Sequence, residues 1–491
     1  LPSMEKEILK WWQQEKIFEK SIESRPGDKR FVFYEGPPSA NGKPGIHHVM
    51  SRTIKDLYCR YHTLSGKQVN RKAGWDTHGL PIELAVEKRM GITKEDIGTT
   101  ISVEEYNARC REEAVKYTEI WNDLTEKMGY WVDLSQPYIT YHNSYIETLW
   151  WLLKQLYNKK LLYKGYTIQP YSPAAGTGLS THELNQPGAY RDVKDTSVVA
   201  MFKVVNNAQS GFLFDTPNED VRILAWTTTP WTLPSNTALT FGDHITYLKV
   251  RTFNPYTAAP VSVVLAKDLL HRWFNAEGEN AVMEYAHSDK LLPYRIVAEW
   301  PGHAFSNLHY EQLLPFGNPI EPLNGHTDAF RIITADFVTT EDGTGVVHTA
   351  PSFGADDRRA AMANGIGTLT LVDKQGKFID TVGEFSGRYV KDYLNEGAAF
   401  KDVDVDIAVK LKLEGKAFNI HKYSHNYPHC WRTDKPIIYY PLDSWFIKTS
   451  ACRERMAELN KSIYWKPAST GEGRFGNWLE NLIDWNLSRS R

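Results

Sequence analysis

A strand–loop–helix pattern within residues 31–83 constrains the fold of this chain more than any other feature. Residues 31–34 are apolar and are followed by Gly36, which predicts a buried strand entering a sharp loop. Apolar residues then recur at three- and four-residue steps and predict a helix that ends at Gly66: Met50, Ile54, Leu57, Tyr58, Tyr61 and Leu64. Backbone N–H groups at the start of such a helix attract anions, so we expect a site for a phosphorylated ligand there.

A second loop follows this helix and carries the sequence GWDTHGLP at residues 74–81. The short run at residues 67–72 precedes it and predicts another strand. Strands that alternate with helices indicate a parallel sheet, and the ligands of such sheets bind beyond the carboxyl ends of the strands. We therefore expect the two loops to face one cleft.

Length, charge and cysteine content narrow the class of protein. A chain of 491 residues predicts more than one domain, and its formal charge of −2 indicates no global attraction to nucleic acid. The four cysteines form no CxxC pair, which is typical of a reducing compartment. No stretch is apolar enough to span a membrane, and the first residues are too charged for a secretory signal. These features predict a cytoplasmic protein without membrane association.

Two motifs carry a resemblance to a known family. The sequence PPSANGKPGIHH at residues 37–48, followed by GWDTHGLPIE at residues 74–83, resembles the class I aminoacyl-tRNA synthetases. The second motif is most similar to the isoleucyl group, because the valyl and leucyl relatives carry different residues at that loop. The resemblance covers essentially the whole chain. It implies an α/β fold in which a Rossmann-like catalytic domain is interrupted by a β-rich, barrel-like editing domain.

The resemblance also implies an activity, isoleucine–tRNA ligation. The isoleucine carboxylate would attack the α-phosphate of ATP, supplied with Mg²⁺, and the aminoacyl group would pass to tRNA(Ile). Isoleucine, ATP and tRNA(Ile) are thus the expected partners, and a monomer is the family expectation. Two alternatives stay open: a valyl- or leucyl-type synthetase, which GWDTHGLPIE and WTTTPWTLP oppose, and a free-standing aminoacyl-tRNA deacylase, which the ATP-type loop opposes.

Changes in hydrophobic periodicity and in Gly, Pro, Ser and Thr content along the chain predict its domain organisation. Residues 1–165 are expected to form the first half of the catalytic domain, and residues 166–195 and 417–440 a connecting ribbon. Residues 196–416 contain short β-rich runs separated by turns, which predicts the inserted editing domain. Within it, the resemblance favours a helix at residues 402–416. Residues 441–491 are expected to return to the catalytic domain and to stop before its lysine-rich KMSKS loop, so this chain alone should make little or no aminoacyl adenylate.

The connecting ribbon often carries a zinc knuckle of two cysteine pairs in this family. The matching positions here are Ser172, Ala175, Cys430 and Thr433. One thiolate cannot supply a tetrahedral structural site. We therefore expect a zinc-free ribbon and no metal site.

Residue-by-residue matching assigns the expected nucleotide contacts. His48 matches the second histidine of the family's HIGH signature, and its imidazole can donate to a phosphate. Gly45 stands where the family usually has its first histidine, and His47 where it usually has glycine. We expect Gly45, His47 and His48 to contact ATP, with His47 supplying part of the missing phosphate contact.

The same matching places the amino acid beside the second loop. Gly36 and Pro37 are expected to border its pocket, and Asp76 to pair with its α-ammonium group, for which a carboxylate is the suitable partner. Together with His47 and His48, Asp76 is a candidate catalytic residue.

Two further stretches resemble the editing site of isoleucyl-type enzymes: WTTTPWTLPSN at residues 226–236 and EDGTGVVHTAPSFGADD at residues 341–357. Hydrolysis of an aminoacyl ester requires a positioned water, polar donors around the carbonyl and an anionic anchor for the ammonium group. The resemblance assigns the anchor to Asp357, with Asp356 as its competitor, and the size of the pocket to His348. The expected polar wall consists of Thr227, Thr228, Thr229 and Asn236. Its substrate would be mischarged valyl-tRNA(Ile).

Overall fold

The computed structural model describes residues 2–488, which divide into two compact units, one up to Tyr163 and the other from Lys164. The first unit is mainly helical. Its helices are α1 (Pro2–Gln14), α2 (Ile17–Glu23), α3 (Ile46–Leu64), α4 (Leu80–Met90), α5 (Val103–Ala114), α6 (Thr118–Lys127) and α7 (Asn143–Asn158). Its strands are β1 (Lys72–Trp75) and β2 (Asp133–Ile139).

Helix α3 confirms the helix predicted after the first loop. It ends just before Gly66, whose φ of +85° is the left-handed conformation expected of a glycine at this position. Its apolar stripe is exposed, however, up to 84% at Leu64, and the buried positions on this helix are Arg52, Cys59 and Thr63. Periodicity thus predicted the helix but not the face that it buries.

The strand predicted at residues 31–34 is wrong. Only Arg30 forms an isolated parallel bridge, to Gln68, and the Phe31 amide donates to the Gln68 carbonyl at 3.0 Å. Val32 is 67% exposed and Tyr34 90% exposed. An apolar run becomes a strand only where a neighbouring strand accepts its ladder of hydrogen bonds, and here the contact is limited to one end of the run.

The first unit contains a parallel pair of strands, but not between the strands that the sequence predicted, since residues 31–34 form no strand and β2 was not predicted. Strand β1 begins at Lys72, so it lies after the run at residues 67–72, and it pairs in parallel with β2. Gly74 lies opposite Tyr138 in this pair. A Cβ atom at Gly74 would come within 2.3 Å of the Tyr138 ring, so the close approach of the two strands requires glycine.

The second unit is rich in strands. They are β3 (Leu162–Ser172), β4 (Thr177–Gly178), β5 (Tyr190–Lys203), β6 (Val221–Thr227), β7 (Ala238–Phe241), β8 (Thr246–Phe253), β9 (Pro260–Ala266), β10 (Arg295–Pro301), β11 (Arg331–Thr334), β12 (Val346–Thr349), β13 (Ala417–Pro428), β14 (Ile438–Ile447) and β15 (Trp485–Asn486). Its helices are α8 (Thr181–Leu184), α9 (Leu270–Trp273), α10 (Ala355–Asn364), α11 (Val403–Leu413), α12 (Arg453–Asn460), α13 (Ala468–Glu472) and α14 (Arg474–Glu480).

The main sheet of this unit has nine strands within the described residues and curls into a half-barrel. Strands β10, β8, β9, β6, β12, β7 and β11 follow one another across it, while β5 pairs with both β6 and β13. A buried apolar cluster that includes Phe202, Phe241 and Phe305 forms its core. The prediction of an α/β fold with a β-rich, barrel-like domain is confirmed.

Strands β5 and β13 form a long antiparallel pair, with Tyr190 opposite Pro428 at its far end. The helix predicted at residues 402–416 is confirmed as α11. Its N-cap is Asp402, whose side chain accepts a hydrogen bond from the Asp404 amide at 3.0 Å. Helix α11 packs against β5 and against the short 3-10 helix Pro230–Ser235.

Candidate functional site

The Thr-rich turn after β6 is built from its own side chains. Strand β6 ends at Thr227, and Pro230 opens a short 3-10 helix, Pro230–Ser235. Proline suits this first position because the N–H that it lacks would have no partner within the helix. The Thr229 amide donates to Thr227 Oγ1 at 3.1 Å, which brings the two hydroxyl groups within 3.3 Å of each other. The turn therefore presents several hydroxyl groups on one side.

A cavity of about 420 Å³ lies between this turn, the loop before β12 and the start of α10. Thr227, Thr228 and Thr229 line one wall, and His348 and Asp357 line others. The structure therefore brings five of the six expected editing residues together around one space.

The sixth, Asn236, does not line this cavity. Its Nδ2 donates to the Ala238 carbonyl at 2.8 Å, and its Oδ1 accepts from the Tyr310 hydroxyl at 2.7 Å. The expectation that Asn236 belongs to the polar wall is corrected on this point, because its amide is used in holding His348. The Nδ2 of Asn236 lies 2.9 Å from His348 Nδ1.

These contacts determine the protonation of His348. Because Asn236 Nδ2 is a donor, His348 Nδ1 accepts, and the ring proton sits on Nε2. That Nε2 lies 3.0 Å from Thr232 Oγ1, whose own proton goes to the Thr229 carbonyl at 2.8 Å. Burial lowers the pKa of His348 to about 3. The imidazole is thus a neutral, fixed wall of the cavity, with both nitrogens engaged.

Asp357 lies in the first turn of α10, and its Oδ2 accepts the Ala350 amide at 2.8 Å. Burial, and then the charge of the neighbouring Asp356, raise the pKa of Asp357 to about 6. Asp356 points away into an ion pair with Arg359, and its side chain is 58% exposed. Of the two candidate anchors, Asp357 is the one that lines the cavity.

Residues outside the two editing motifs hold the rim of the cavity at Asp342 and Gly343. Asp342 accepts hydrogen bonds from Arg272 and from the Tyr423 hydroxyl, each at 2.7 Å. The Trp273 indole donates to the Gly343 carbonyl at 2.9 Å. No local signal predicts these contacts, since Arg272 and Tyr423 lie about 70 or more positions from Asp342 in the chain.

The first unit contains the other candidate site, and there the two predicted loops do meet. The Asp76 amide donates to the Pro38 carbonyl at 3.0 Å. The Trp121 indole donates to the Gly42 carbonyl at 2.8 Å, and the Tyr117 amide to the Ala40 carbonyl at 2.9 Å. The expected proximity of the two loops is confirmed.

His48 and His47 stand together at the start of α3. The Gly45 amide donates to His48 Nδ1 at 2.9 Å, so the neutral His48 ring carries its proton on Nε2 and presents a donor. Burial, then His47 and Arg52, lower the pKa of His48. The centroids of the His47 and His48 rings lie 3.8 Å apart.

Gly45 makes room for His47. A Cβ atom at Gly45 would lie 2.9 Å from His47 Cε1 and 3.0 Å from His47 Nδ1. The His47 ring therefore occupies the space into which a side chain at Gly45 would extend. Glycine at position 45 and histidine at position 47, the reverse of the usual family order, therefore fit together sterically.

The remaining expected residues of this site lie in the same loops. Asp76 is half-buried, Pro37 is half-buried and Gly36 is exposed, with no atom within 4 Å of a Cβ built on it. Glu35, which the sequence did not single out, accepts the Tyr130 hydroxyl at 2.7 Å and pairs with Lys55. This buried carboxylate fixes the chain just before Gly36.

The ribbon positions that match the family's zinc ligands form ordinary turns. The Ala175 amide donates to Ser172 Oγ at 3.2 Å, and the Cys430 amide to the Lys435 carbonyl at 2.8 Å. Among the side chains that the structure describes, those of residues 2–488 other than 181, 182 and 398, no cluster of three or more histidine, cysteine, aspartate or glutamate residues could hold a metal ion.

The first unit thus carries a loop at the start of α3, and the second unit carries a cavity lined by hydroxyl groups and one buried carboxylate. The family model for class I tRNA synthetases (I, L, M and V) matches residues 7–491, and the chain belongs to this family. No helix in the described part of the chain has both the length and the apolar character needed to cross a bilayer.

The similar curated proteins include isoleucine–tRNA ligases. The isoleucine–tRNA ligase of Porphyromonas gingivalis is 58% identical over 521 residues, and that of Bacteroides fragilis strain YCH46 is 58% identical over 520. Each match covers 100% of this chain and 45% of the relative, so the chain spans less than half the length of these proteins. A crystal structure of the Agrobacterium radiobacter K84 agnB2 LeuRS ternary complex is 16% identical, with a TM-score of 0.32, over 87% of this chain and 49% of that chain.

Proposed function

We propose that this chain is part of an isoleucine–tRNA ligase and that the cavity in its second unit hydrolyses mischarged valyl-tRNA(Ile). The observation that carries the editing proposal is the convergence of three threonines, His348 and Asp357 on one cavity of about 420 Å³. The high identity to curated isoleucine–tRNA ligases supports isoleucine as the cognate amino acid.

Each group around the cavity has a chemical role in this proposal. The Asp357 carboxylate, which lines the cavity and is charged above about pH 6, would bind the α-ammonium group of the aminoacyl ester. The threonine hydroxyls would orient the attacking water and donate to the ester carbonyl as negative charge develops on it. His348 does not act as a base, because burial holds its pKa near 3 and both its nitrogens are engaged. It limits the size of the pocket.

Deacylation of valyl-tRNA(Ile) by this chain tests the editing proposal, with isoleucyl-tRNA(Ile) as the control substrate. We expect selective hydrolysis of the valyl ester and its loss in Asp357→Ala. Equal hydrolysis of both esters, or full activity of the variant, would contradict the proposal.

The first unit is proposed to hold ATP, supplied with Mg²⁺, and isoleucine. His48 and His47, with Gly45 leaving space for the His47 ring, would contact the phosphates, and Asp76 would pair with the isoleucine ammonium group. Gly36 and Pro37 would border the amino-acid pocket. The partner of both sites is tRNA(Ile), and the cytoplasm is the proposed location.

The exchange at Gly45 and His47 supports a direct role for His47. The His47 ring fills the position that a side chain at residue 45 would otherwise enter. We expect His47→Ala and His48→Ala each to weaken ATP binding by this chain, measured by equilibrium dialysis. Equal, small losses in the two variants would remove His47 and His48 from the phosphate site.

The domain organisation follows from the same proposal. Residues 1–165 would be the first part of the catalytic domain, 196–416 the editing domain, and 166–195 with 417–440 the ribbon between them. Residues 441–491 would return to the catalytic domain.

A further inference from the structure

A chain of buried charges runs behind the Thr-rich turn, away from the cavity. Asp404, at the start of α11, is fully buried, and its Oδ2 lies 3.1 Å from Lys391 Nζ. Lys391 Nζ also lies 3.0 Å from Asp195 Oδ2, which in turn lies 3.1 Å from His425 Nε2. Neither motif of the editing site includes any of these four residues.

One end of this chain meets the turn directly. The Trp231 amide donates to Asp404 Oδ1 at 2.7 Å. Trp231 is the second residue of the 3-10 helix Pro230–Ser235, and an N–H at that position has no acceptor within its own helix. The Asp404 carboxylate, which lies 173 positions away in the sequence, therefore caps this helix from outside.

The capped helix orients the cavity wall. Thr232 follows Trp231, and its hydroxyl contacts both His348 Nε2 and the Thr229 carbonyl. A shift of the helix start would move Thr229, which lines the cavity, and Thr232, which fixes His348. Displacements of about 1 Å at such a site can lower a rate by about a hundredfold.

Lys391 favours the charged form of Asp404. Burial raises the pKa of Asp404, and the Lys391 cation opposes that rise. Burial by itself would lower the pKa of Lys391, but the Asp404 carboxylate, with smaller contributions from its other neighbours, raises it. The amine therefore stays cationic, and a cation at 3.1 Å favours the carboxylate form of Asp404. The Tyr427 ring, whose centroid lies 5.2 Å from Lys391 Nζ, covers the amine.

We infer that Asp404, held by Lys391, is a positioning residue for ester hydrolysis, because it caps the Thr-rich turn through the Trp231 amide. This inference rests on the proposed editing function only for its effect on the rate. The capping itself is a property of the turn and can be measured without substrate.

Two double variants that differ in one acceptor test it: Lys391→Met/Asp404→Asn and Lys391→Met/Asp404→Leu. Asparagine and leucine are similar in shape, and in each variant the buried ion pair is removed as a whole, so no unpaired charge is left at either position. Only asparagine retains an oxygen for the Trp231 amide. Lys249→Met is the control, since Lys249 is also a buried lysine and pairs with Asp215 and Glu219, away from the turn.

We expect the leucine variant to lower kcat for valyl-tRNA(Ile) hydrolysis by about tenfold to a hundredfold, with little change in KM. Amide hydrogen exchange at Trp231 should become faster in the same variant. The asparagine variant and Lys249→Met should keep the exchange protection and most of kcat. Should the leucine variant fail to fold, Asp404→Ala in the same Lys391→Met background replaces it, with the same comparison.

The outcomes separate the two proposals. If the wild-type chain hydrolyses no ester, the proposed function fails, and the exchange rates at Trp231 still decide whether Asp404 caps the turn. Equal exchange rates and equal kcat values in the leucine and asparagine variants would overturn the inference.

Discussion

Replacing Asp357 with asparagine should make the protein more stable and less active at the same time. Asparagine has nearly the same shape, and its oxygen can still accept the Ala350 amide, which now donates to Asp357 Oδ2 at 2.8 Å. It removes only the negative charge. If that charge binds the substrate ammonium group, the loss of a charge-assisted hydrogen bond worth about 1.5–3 kcal/mol should lower kcat/KM by about 10- to 150-fold.

The gain in stability follows from the pKa of Asp357. Its value rises from 3.8 to about 6 on folding, chiefly because of burial. A pKa difference of about 2 units between the folded and unfolded states corresponds to about 3 kcal/mol in the free energy of unfolding. Because the pKa is higher in the folded state than in the unfolded state, protonation of Asp357 contributes to the free energy of unfolding. This contribution is complete below about pH 4 and is lost as the pH rises through about 6. Above that, the wild-type protein carries the full cost of a buried charge, which asparagine avoids.

Urea denaturation at pH 4 and at pH 8 measures this effect. The Asp357→Asn variant should exceed the wild type by up to about 3 kcal/mol at pH 8 and by little at pH 4. Asp356→Asn is the matched control, because Asp356 lies on the same helical turn with a side chain that is 58% exposed and paired with Arg359. An Asp357→Asn variant that is less stable than the wild type at pH 8, or a gain that does not depend on pH, would refute the reasoning.

Three further substitutions have defined outcomes. Gly354→Ala would place a Cβ atom 2.7 Å from Asp357 Cγ, so we expect a raised KM for valyl-tRNA(Ile) hydrolysis. Gly211→Ala is the control, because a Cβ atom there meets no atom within 4 Å and should leave KM unchanged. Gly74→Ala would drive a Cβ into the Tyr138 ring and should cost about 1–3 kcal/mol in urea denaturation of the first unit; a neutral effect would argue against the close β1–β2 approach. Thr232→Val removes the acceptor of the His348 Nε2 proton and should cost about 1–3 kcal/mol, whereas an unchanged denaturation midpoint would contradict the proposed tautomer.

Local patterns predicted those parts of the molecule that depend on neighbours in sequence. The helix α3 and the left-handed Gly66 after it follow from short-range spacing and turn chemistry. The pairing of β1 with β2 does not, because it joins Lys72 to Asp133, and no local pattern predicted β2. The strand predicted at residues 31–34 failed, because an apolar run does not reveal whether a partner strand is present. The apolar periodicity of α3 did not predict which residues are buried, for the same reason. Periodicity shows which residues share a face of the helix, but not whether another element packs against that face.

The candidate editing site divides in the same way. The two motifs named Thr227, Thr228, Thr229, His348 and Asp357, and the structure places all five around one cavity. The position of Asn236 behind His348 was not predictable, because its role depends on the Ala238 carbonyl and the Tyr310 hydroxyl. The choice between Asp356 and Asp357 depends on which carboxylate α10 turns towards the cavity.

The sequence by itself determined the family, the two motifs of each site and the residue types that their chemistry requires, because these are encoded in short stretches. Only the tertiary structure decided the state of those groups. The neutral tautomer of His348 depends on Asn236, 112 positions away, and the cap on the Thr-rich turn depends on Asp404, 173 positions away. Burial and hydrogen bonding set the pKa of a side chain, and both arise from contacts between segments that only the folded chain brings together.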